Sequence, residues 1–350
     1  MKSFVSSFTF LLFHSFLSAQ TNSYQISFEN AVHHEAQIEA VFKNIDTDTL
    51  KVRMARSSPG RYAIHEFAKN IYAFSASDGN GKKLDFYRPN PYEWHITGHN
   101  GTVSIAYTLF ANRGDGTYSQ IDETHAHLNM PATFMYAPEL SDREIEIDFK
   151  TREDLTWKVA TQLPLVSGTK YTAPNLQYFM DSPTEISDFH LREFQVDGQA
   201  VQLALHHNGS EKETDTYFEK VKKTVLAEKE VFGELPKFDF GKYRFLACYI
   251  PNASGDGMEH RNSTILTSTR SLAEGGMEQN IGTVSHEFFH AWNVERIRPK
   301  DLEPFDFSKA NMTGALWFAE GFTSYYTGLM LCRAGVISQE EYIEGLRKVY

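Results

Sequence analysis

Between residues 24 and 205 apolar and polar positions mostly alternate. The runs YQISF (24–28), AQIEAVF (36–42), TVSIAYTLF (102–110), EIEIDF (144–149) and VQLALHH (201–207) each send every second side chain to one face, the period of a half-buried strand. Asp78-Gly79-Asn80-Gly81 and Asp197-Gly198 supply turns, because glycine and asparagine enter positive φ at little cost. These features predict an antiparallel, β-rich first domain over residues 20–207, with no repeat of fixed period.

After Asn208-Gly209 the period lengthens. In residues 216–232, Phe218, Val221, Val225 and Phe232 fall near one helical face, and Gly233 is placed to stop the helix. YRFLACYI (243–250) reads as a buried strand, residues 280–297 as a helix ended by Pro299, and residues 313–333 as another helix with Gly335 beyond it. Ser338-x-x-Glu341 has the form of a capping box, opening a last helix with Ile343, Leu346 and Val349 on one face. The fold class predicted is α+β: the β-rich domain, then a mainly helical domain over residues 208–350. The helical pattern is still running at Tyr350, which reads as a piece of a longer protein.

The first nineteen residues belong to neither pattern. Lys2 precedes an apolar stretch, residues 4–17, that is short for a bilayer span and interrupted by Ser and His. Ser18 and Ala19 follow, so the segment reads as a secretory signal cut after Ala19, and the expected location is secreted or periplasmic. No later run is apolar for long enough to insert stably in a membrane. The chain has 350 residues, 41% of them hydrophobic, enough for about two domains. Its 34 Lys+Arg against 45 Asp+Glu leave a net charge of -11, which argues against nucleic acid or anionic lipid as partners. Cys248 and Cys332 are the only cysteines, too few for a disulfide framework, and a zinc–thiolate site is not expected.

His286-Glu287-Phe288-Phe289-His290 carries the clearest chemistry. On a helix, residues four apart share a side, so both imidazoles reach one cation while Glu287 stands beside them to orient a water. A catalytic zinc also needs a third protein ligand and an open position. No histidine follows His290, whereas Glu320 lies in the apolar run LWFAEGF, where a carboxylate is costly to bury alone; an exposed acid on an amphipathic face is the competing reading. Asp122-Glu123-Thr124-His125-Ala126-His127 puts two imidazoles on one face of a strand, a hydrogen-bonding surface or a second metal site. Arg296 and Arg298 are candidates for a peptide carboxylate or plain helix-end cations. His33-His34 and His206-His207 read as surface residues, and Tyr325 and Tyr326 as core or pocket wall.

SHEFFHAWNVERIRP (285–299), PFDF (304–307) and LWFAEGFTSYY (316–326) resemble the glycyl aminopeptidase family, gluzincin metallopeptidases that carry a C-terminal PDZ domain. The resemblance extends through SPGRYAIHEFAKNI (58–71), IDETH (121–125) and GMEHRNST (257–264), and so covers most of residues 24–350. It implies a thermolysin-like catalytic domain, incomplete at its C-terminal end, with a Zn2+ cofactor held by His286, His290 and Glu320 and with Glu287 as general base. It implies a peptide substrate with a small N-terminal residue such as Gly or Ala. Gly257-Met258-Glu259-His260 stands about where related aminopeptidases have G-x-M-E-N, a strand edge along the substrate, which makes Glu259 the receiver of the α-ammonium. Glu123 is a candidate second carboxylate for that amine. The oxyanion donor implied by the family falls beyond Tyr350, and the oligomeric state stays open. Two other readings compete: a zinc endopeptidase, which has no need of Glu259 to hold an amine, and a noncatalytic peptide-binding protein that keeps the fold.

Overall fold

The computed structural model describes residues 20–347; the signal segment expected at residues 1–19 lies outside them, as does Val349. Every alternating run named above is a strand. Seven strands form one sheet, in the order Leu165–Ser167, Lys170–Ala173, Glu144–Lys150, Thr21–Ser27, Glu35–Phe42, Val103–Phe110, Ile71–Asp78. Thr21–Ser27 pairs parallel with Glu144–Lys150, so the sheet is mixed rather than purely antiparallel. A three-stranded sheet (Thr49–Arg53, Glu93–Thr97, Asp85–Asn90) and a four-stranded sheet (Lys158–Thr161, Thr184–Ser187, His125–Leu128, Gln120–Ile121) complete this half. The inward positions of the alternation, among them Ile26, Phe28, Ile38, Phe42, Ile105, Leu109 and Phe149, join one core with Phe134 and Phe179, each such side chain contributing about 1.5–3 kcal/mol on burial.

A five-stranded sheet supports the second half, in the order His190–Val196, Gln199–His207, Lys242–Tyr249, Ser263–Ser268, Asp256–His260. Its three central strands run parallel, and Asp256–His260 lies antiparallel at one edge. The hairpin His190–His207, read from sequence as the end of the first domain, thus belongs to this second sheet. The second half is also less helical than expected, with a sheet for its floor.

Two short helices, α1 (Met130–Thr133) and α2 (Leu176–Met180), sit in the first half; α3 (Glu211–Phe232), α4 (Gly276–Phe289), α5 (Leu316–Arg333) and α6 (Gln339–Arg347) follow. Phe218, Val221 and Val225 of α3 and Ile281, Val284 and Phe288 of α4 cover Leu203, Leu205, Phe245 and Ala247 of the sheet. The start of α3 at Glu211 rather than 216 comes from a capping box: Ser210 N–H donates to Glu213 Oε2 at 2.6 Å, and Glu213 N–H to Ser210 Oγ at 3.3 Å. Gly233 ends α3 at φ 84°, as its position predicts. The expected box at Ser338 and Glu341 is also present. Helix α4 ends at Phe289 instead of running to 297, because residues 290–297 turn away through bonds such as Glu295 N–H to His290 O. The Asn293 amide donates to the carbonyls of Phe318 and Ala319 and ties that turn to α5. No helix among the described residues is long and apolar enough to cross a membrane.

Helices α3, α4 and α5 meet at one buried carboxyl. Glu228 Oε1 lies 2.8 Å from Ser285 Oγ, which lies 3.1 Å from the Thr327 carbonyl. Burial pushes the Glu228 carboxyl well above its usual range, outweighing the hydrogen bond from the Ser285 hydroxyl and the charge of His290, which lower it. The unfolded chain releases the carboxyl proton first. The contribution to stability is therefore complete below the ordinary carboxyl range of about 4.3 and is lost as pH rises toward the folded value. Glu228→Gln keeps the shape and a donor but removes the titration, so its melting temperature should equal or exceed the parent's near pH ~8, with the gain vanishing near pH ~4. Thermal melts across that range check this; Glu228→Ala, which also opens a cavity, should melt lower throughout.

Candidate active site

One turn of α4 separates His286 from His290, so their rings stand together, centroids 4.8 Å apart and nearly perpendicular. Glu320, on the first turns of α5, meets them: its Oε2 lies 3.4 Å from His286 Nε2 and 3.6 Å from His290 Nε2. Hydrogen bonds on the far sides of the rings set both tautomers. His290 Nδ1–H donates to the Asn293 carbonyl at 2.7 Å. Thr327 gives its hydroxyl proton to the Thr323 carbonyl, so at 3.3 Å its oxygen accepts from His286 Nδ1–H. Two bare Nε2 lone pairs then face a carboxylate oxygen, three donors aimed at one point that a cation suits. With protons alone to bridge them, Glu259 and the neighbouring carboxylates outweigh burial and lift His290 to about 10. The same imidazoles hold Glu320 well below its usual range. Glu320 remains 39% exposed, leaving the cluster open on one side.

Glu287 points from α4 toward the edge strand Asp256–His260. Burial raises its pKa; Glu259, Glu320 and Asp256 add to the rise and His290 opposes it. The close approach depends on Gly257, where a Cβ would overlap the Glu287 carboxylate and crowd Thr283. Met258 and Glu259 are buried next to it, and ligand atoms of Glu259, Glu287 and His290 lie within 4.8 Å of one another. Loops of the first half close this strand from the other side. Arg61 pairs with Asp256, Gly116 N–H donates to Asp256 Oδ2 at 2.9 Å, and Gly60, at φ 75°, sits where any side chain would strike Met258 and Glu259. Tyr62 follows, its phenol pushed up by burial and by Glu259 and Glu320.

The remaining candidates scatter. His260 is buried and bonded to Asp181 at 2.8 Å, a supporting role. Arg296 spends four of its five N–H donors on the carbonyls of Arg261, Ala291 and Lys237 and on Asn262, so both of its terminal nitrogens are already engaged within the protein. Arg298 lies against Glu295 in the wall of a cleft of about 230 Å³ that also takes in Asp181, Arg261 and Phe305. Glu123 is an exposed turn residue whose charge acts on Arg152; it is not among the carboxylates pressing on Glu287. Tyr326 stacks on Phe289, and Tyr325 is exposed. His206 and His207 are buried, against the surface reading: His206 faces Glu185 of the four-stranded sheet, and His207 faces α3, its Nε2 2.9 Å from Thr214 Oγ1; His125 and His127 are buried as well. Cys248 and Cys332 are both free thiols. Sequence reasoning missed Tyr62, Asp256 and Gly60 as neighbours of the site; the SPGRY run was visible, but nothing in its spacing says which strand it meets.

Both halves of this fold are those of a peptidase. The architecture is similar to the crystal structure of an aminopeptidase N family protein from Idiomarina loihiensis, with 26% identity and a TM-score of 0.81 over 92% of this chain. The chain spans 56% of that protein's length. Residues 23–188 match the M61 peptidase N-terminal domain, and residues 279–350 match the M61 glycyl aminopeptidase domain. The chain belongs to the M61 peptidase family, a family of metallopeptidases. No curated protein matches it.

The Gly257 contact is testable in the full-length enzyme. Gly257→Ala should lower peptidase kcat/KM by about tenfold or more, since displacing a reacting group by ~1 Å costs on the order of 10²-fold. Gly255→Ala, where an added Cβ meets nothing within 4 Å, should leave it unchanged.

Proposed function

We propose that this chain holds the metal centre and substrate strand of a zinc aminopeptidase with a thermolysin-like catalytic domain. The convergence of His286, His290 and Glu320 beside Glu287 and Glu259 carries this reading. Two imidazole nitrogens, one carboxylate oxygen and an open side suit a catalytic zinc. When bound, zinc supplies a Lewis acid for the scissile carbonyl and acidifies a water. Glu287 takes the proton of the attacking water and returns it to the leaving amine. The edge strand Asp256–His260 offers its free side to an extended peptide. Glu259, buried and one wall away from Glu287, receives the α-ammonium and so measures one residue from the chain end. The walls here are tight, with Gly60 against Glu259 and a small cavity lined by Gly60, Tyr62, Glu259 and Val294. That crowding supports a small first residue such as Gly or Ala.

Three measurements on full-length enzyme test the reading. Glu287→Gln should lower kcat by roughly 10²- to 10⁴-fold while zinc content and melting temperature hold; turnover within a few-fold of the parent removes Glu287 as base. Glu320→Gln should cost one equivalent of zinc by elemental analysis; unchanged zinc takes Glu320 out of the site. Glu259→Ala should penalise free-amine peptides by about 1.5–3 kcal/mol in kcat/KM and leave N-acetylated ones nearly untouched. Efficient internal cleavage of blocked peptides would instead favour an endopeptidase.

A further inference from the structure

A second cluster lies between the four-stranded and five-stranded sheets, away from the groups just described. His206 and Cys248 are register partners on adjacent parallel strands and face the same way. Their neighbours Ala204 and Leu246 pack on Ala160 and Phe189 of the first half, which fixes the two sheets face to face. Across this junction stand His125 and Glu185, from paired strands of the four-stranded sheet. All four side chains are buried, His125 and Glu185 completely.

Four donor atoms point at one spot. Cys248 Sγ lies 3.3 Å from His125 Nδ1 and 3.5 Å from His206 Nδ1. Glu185 Oε1 lies 3.4 Å from His125 Nδ1 and 3.6 Å from His206 Nδ1. Zinc bonds of about 2.0–2.3 Å make a tetrahedron with edges of about 3.3–3.7 Å, and the measured separations fall within that range. Glu185 Oε1 is buried without a well-formed hydrogen bond, its nearest imidazole being His125 at 3.4 Å, and such a contact leaves room for something else to occupy the space. Its other oxygen is bonded to His127 Nδ1 at 3.1 Å, and His127 Nε2 is anchored on the Asp115 carbonyl. Asp122 stands 3.7 Å from His125 Nε2. The His127 bonds are outer contacts of the kind that orient a metal ligand, here Glu185, while Asp122 offers His125 a nearby charge without a hydrogen bond.

We propose that His125, Glu185, His206 and Cys248 bind a structural zinc ion that clasps the N-terminal half to the catalytic sheet. A thiolate and a carboxylate supply two negative charges for the ion's two positive ones, so the buried site is close to neutral. The sulfur and imidazole donors select zinc over magnesium or calcium. Four protein ligands leave no open position, which separates this site from the three-ligand cluster at Glu320 and assigns it to stability rather than hydrolysis. The sequence reading that set aside zinc–thiolate chemistry counted cysteines; a single cysteine suffices when histidines and a carboxylate complete the set.

The test uses the whole chain, in which His286→Ala/His290→Ala removes the other cluster. That double variant should retain about one zinc per chain by elemental analysis. Loaded with cobalt(II), it should show the near-ultraviolet charge-transfer band of a thiolate–cobalt bond, to which only a sulfur ligand gives rise. Adding Cys248→Ser should abolish band and bound zinc and lower the melting temperature, whereas Cys332→Ser should preserve all three. A folded double variant free of zinc, or one lacking the cobalt–thiolate band, overturns the proposal. If Cys248→Ser does not fold, the cobalt band of the Cys332→Ser protein decides alone: its presence assigns Cys248 as ligand, and its absence refutes the site.

Discussion

Asp256, Glu259 and Glu320 all press electrostatically on Glu287 in a space where Glu259 and Glu287 are buried. Confining that much negative charge is the constraint on which the second half of the protein is arranged. Buried carboxylates are tolerated only with hydrogen bonds and counter-charges to meet them. Here the carboxylates come from three elements, the edge strand, α4 and α5, and two are met by partners from another: Glu320 of α5 by His286 and His290 of α4, Asp256 of the edge strand by Arg61 and Gly116 of the first half. The cluster therefore forms only when sheet, helices and N-terminal loops are all in place. It is also poised for chemistry, because strong mutual perturbation of buried acids and imidazoles is the condition under which a carboxylate accepts and gives up protons near neutral pH.

The N-terminal half follows from the same constraint. Its seven-stranded sheet supplies a core large enough to hold loops rigidly, and the loops do the work at the site: Gly60 and Gly116 bring bare backbone against Met258 and Glu259. A side chain at either position would push the wall away from the acid it confines. The second junction, Ala160 and Phe189 on Ala204 and Leu246 with the buried histidines beside them, fixes the orientation of the two halves.

Local signals were legible in the sequence. Alternation gave the strands, Gly233 and the Ser338–Glu341 box gave helix ends, and the spacing of His286 and His290 placed two imidazoles on one side of a helix, because each depends on residues within a few positions of one another. Glu320 was legible for a different reason: an acid in an apolar helix needs a partner, and its partner proved to be the histidine pair. The end of α4 was not legible. Apolar periodicity continues through Trp292, and only the bonds from His290 to the Asn293 carbonyl and from Asn293 to α5 reveal why the helix stops.

What depends on pairing between distant strands was hidden. His206 reads as half of an alternating strand end, and its burial is decided by the sheet that packs over it, from residues some eighty positions upstream. Glu185 attracted no attention at all, since Thr184–Ser187 is short and polar, yet it is fully buried between three imidazoles and a thiol. A polar strand with no exposed face is itself informative. Water cannot reach its side chains, so each must be satisfied by a group from another element, and the sequence cannot say which. His125, His127, Glu185, His206 and Cys248 come from four strands in two sheets. Their meeting is a property of the junction, and any ligand they hold is a ligand of the fold rather than of a motif.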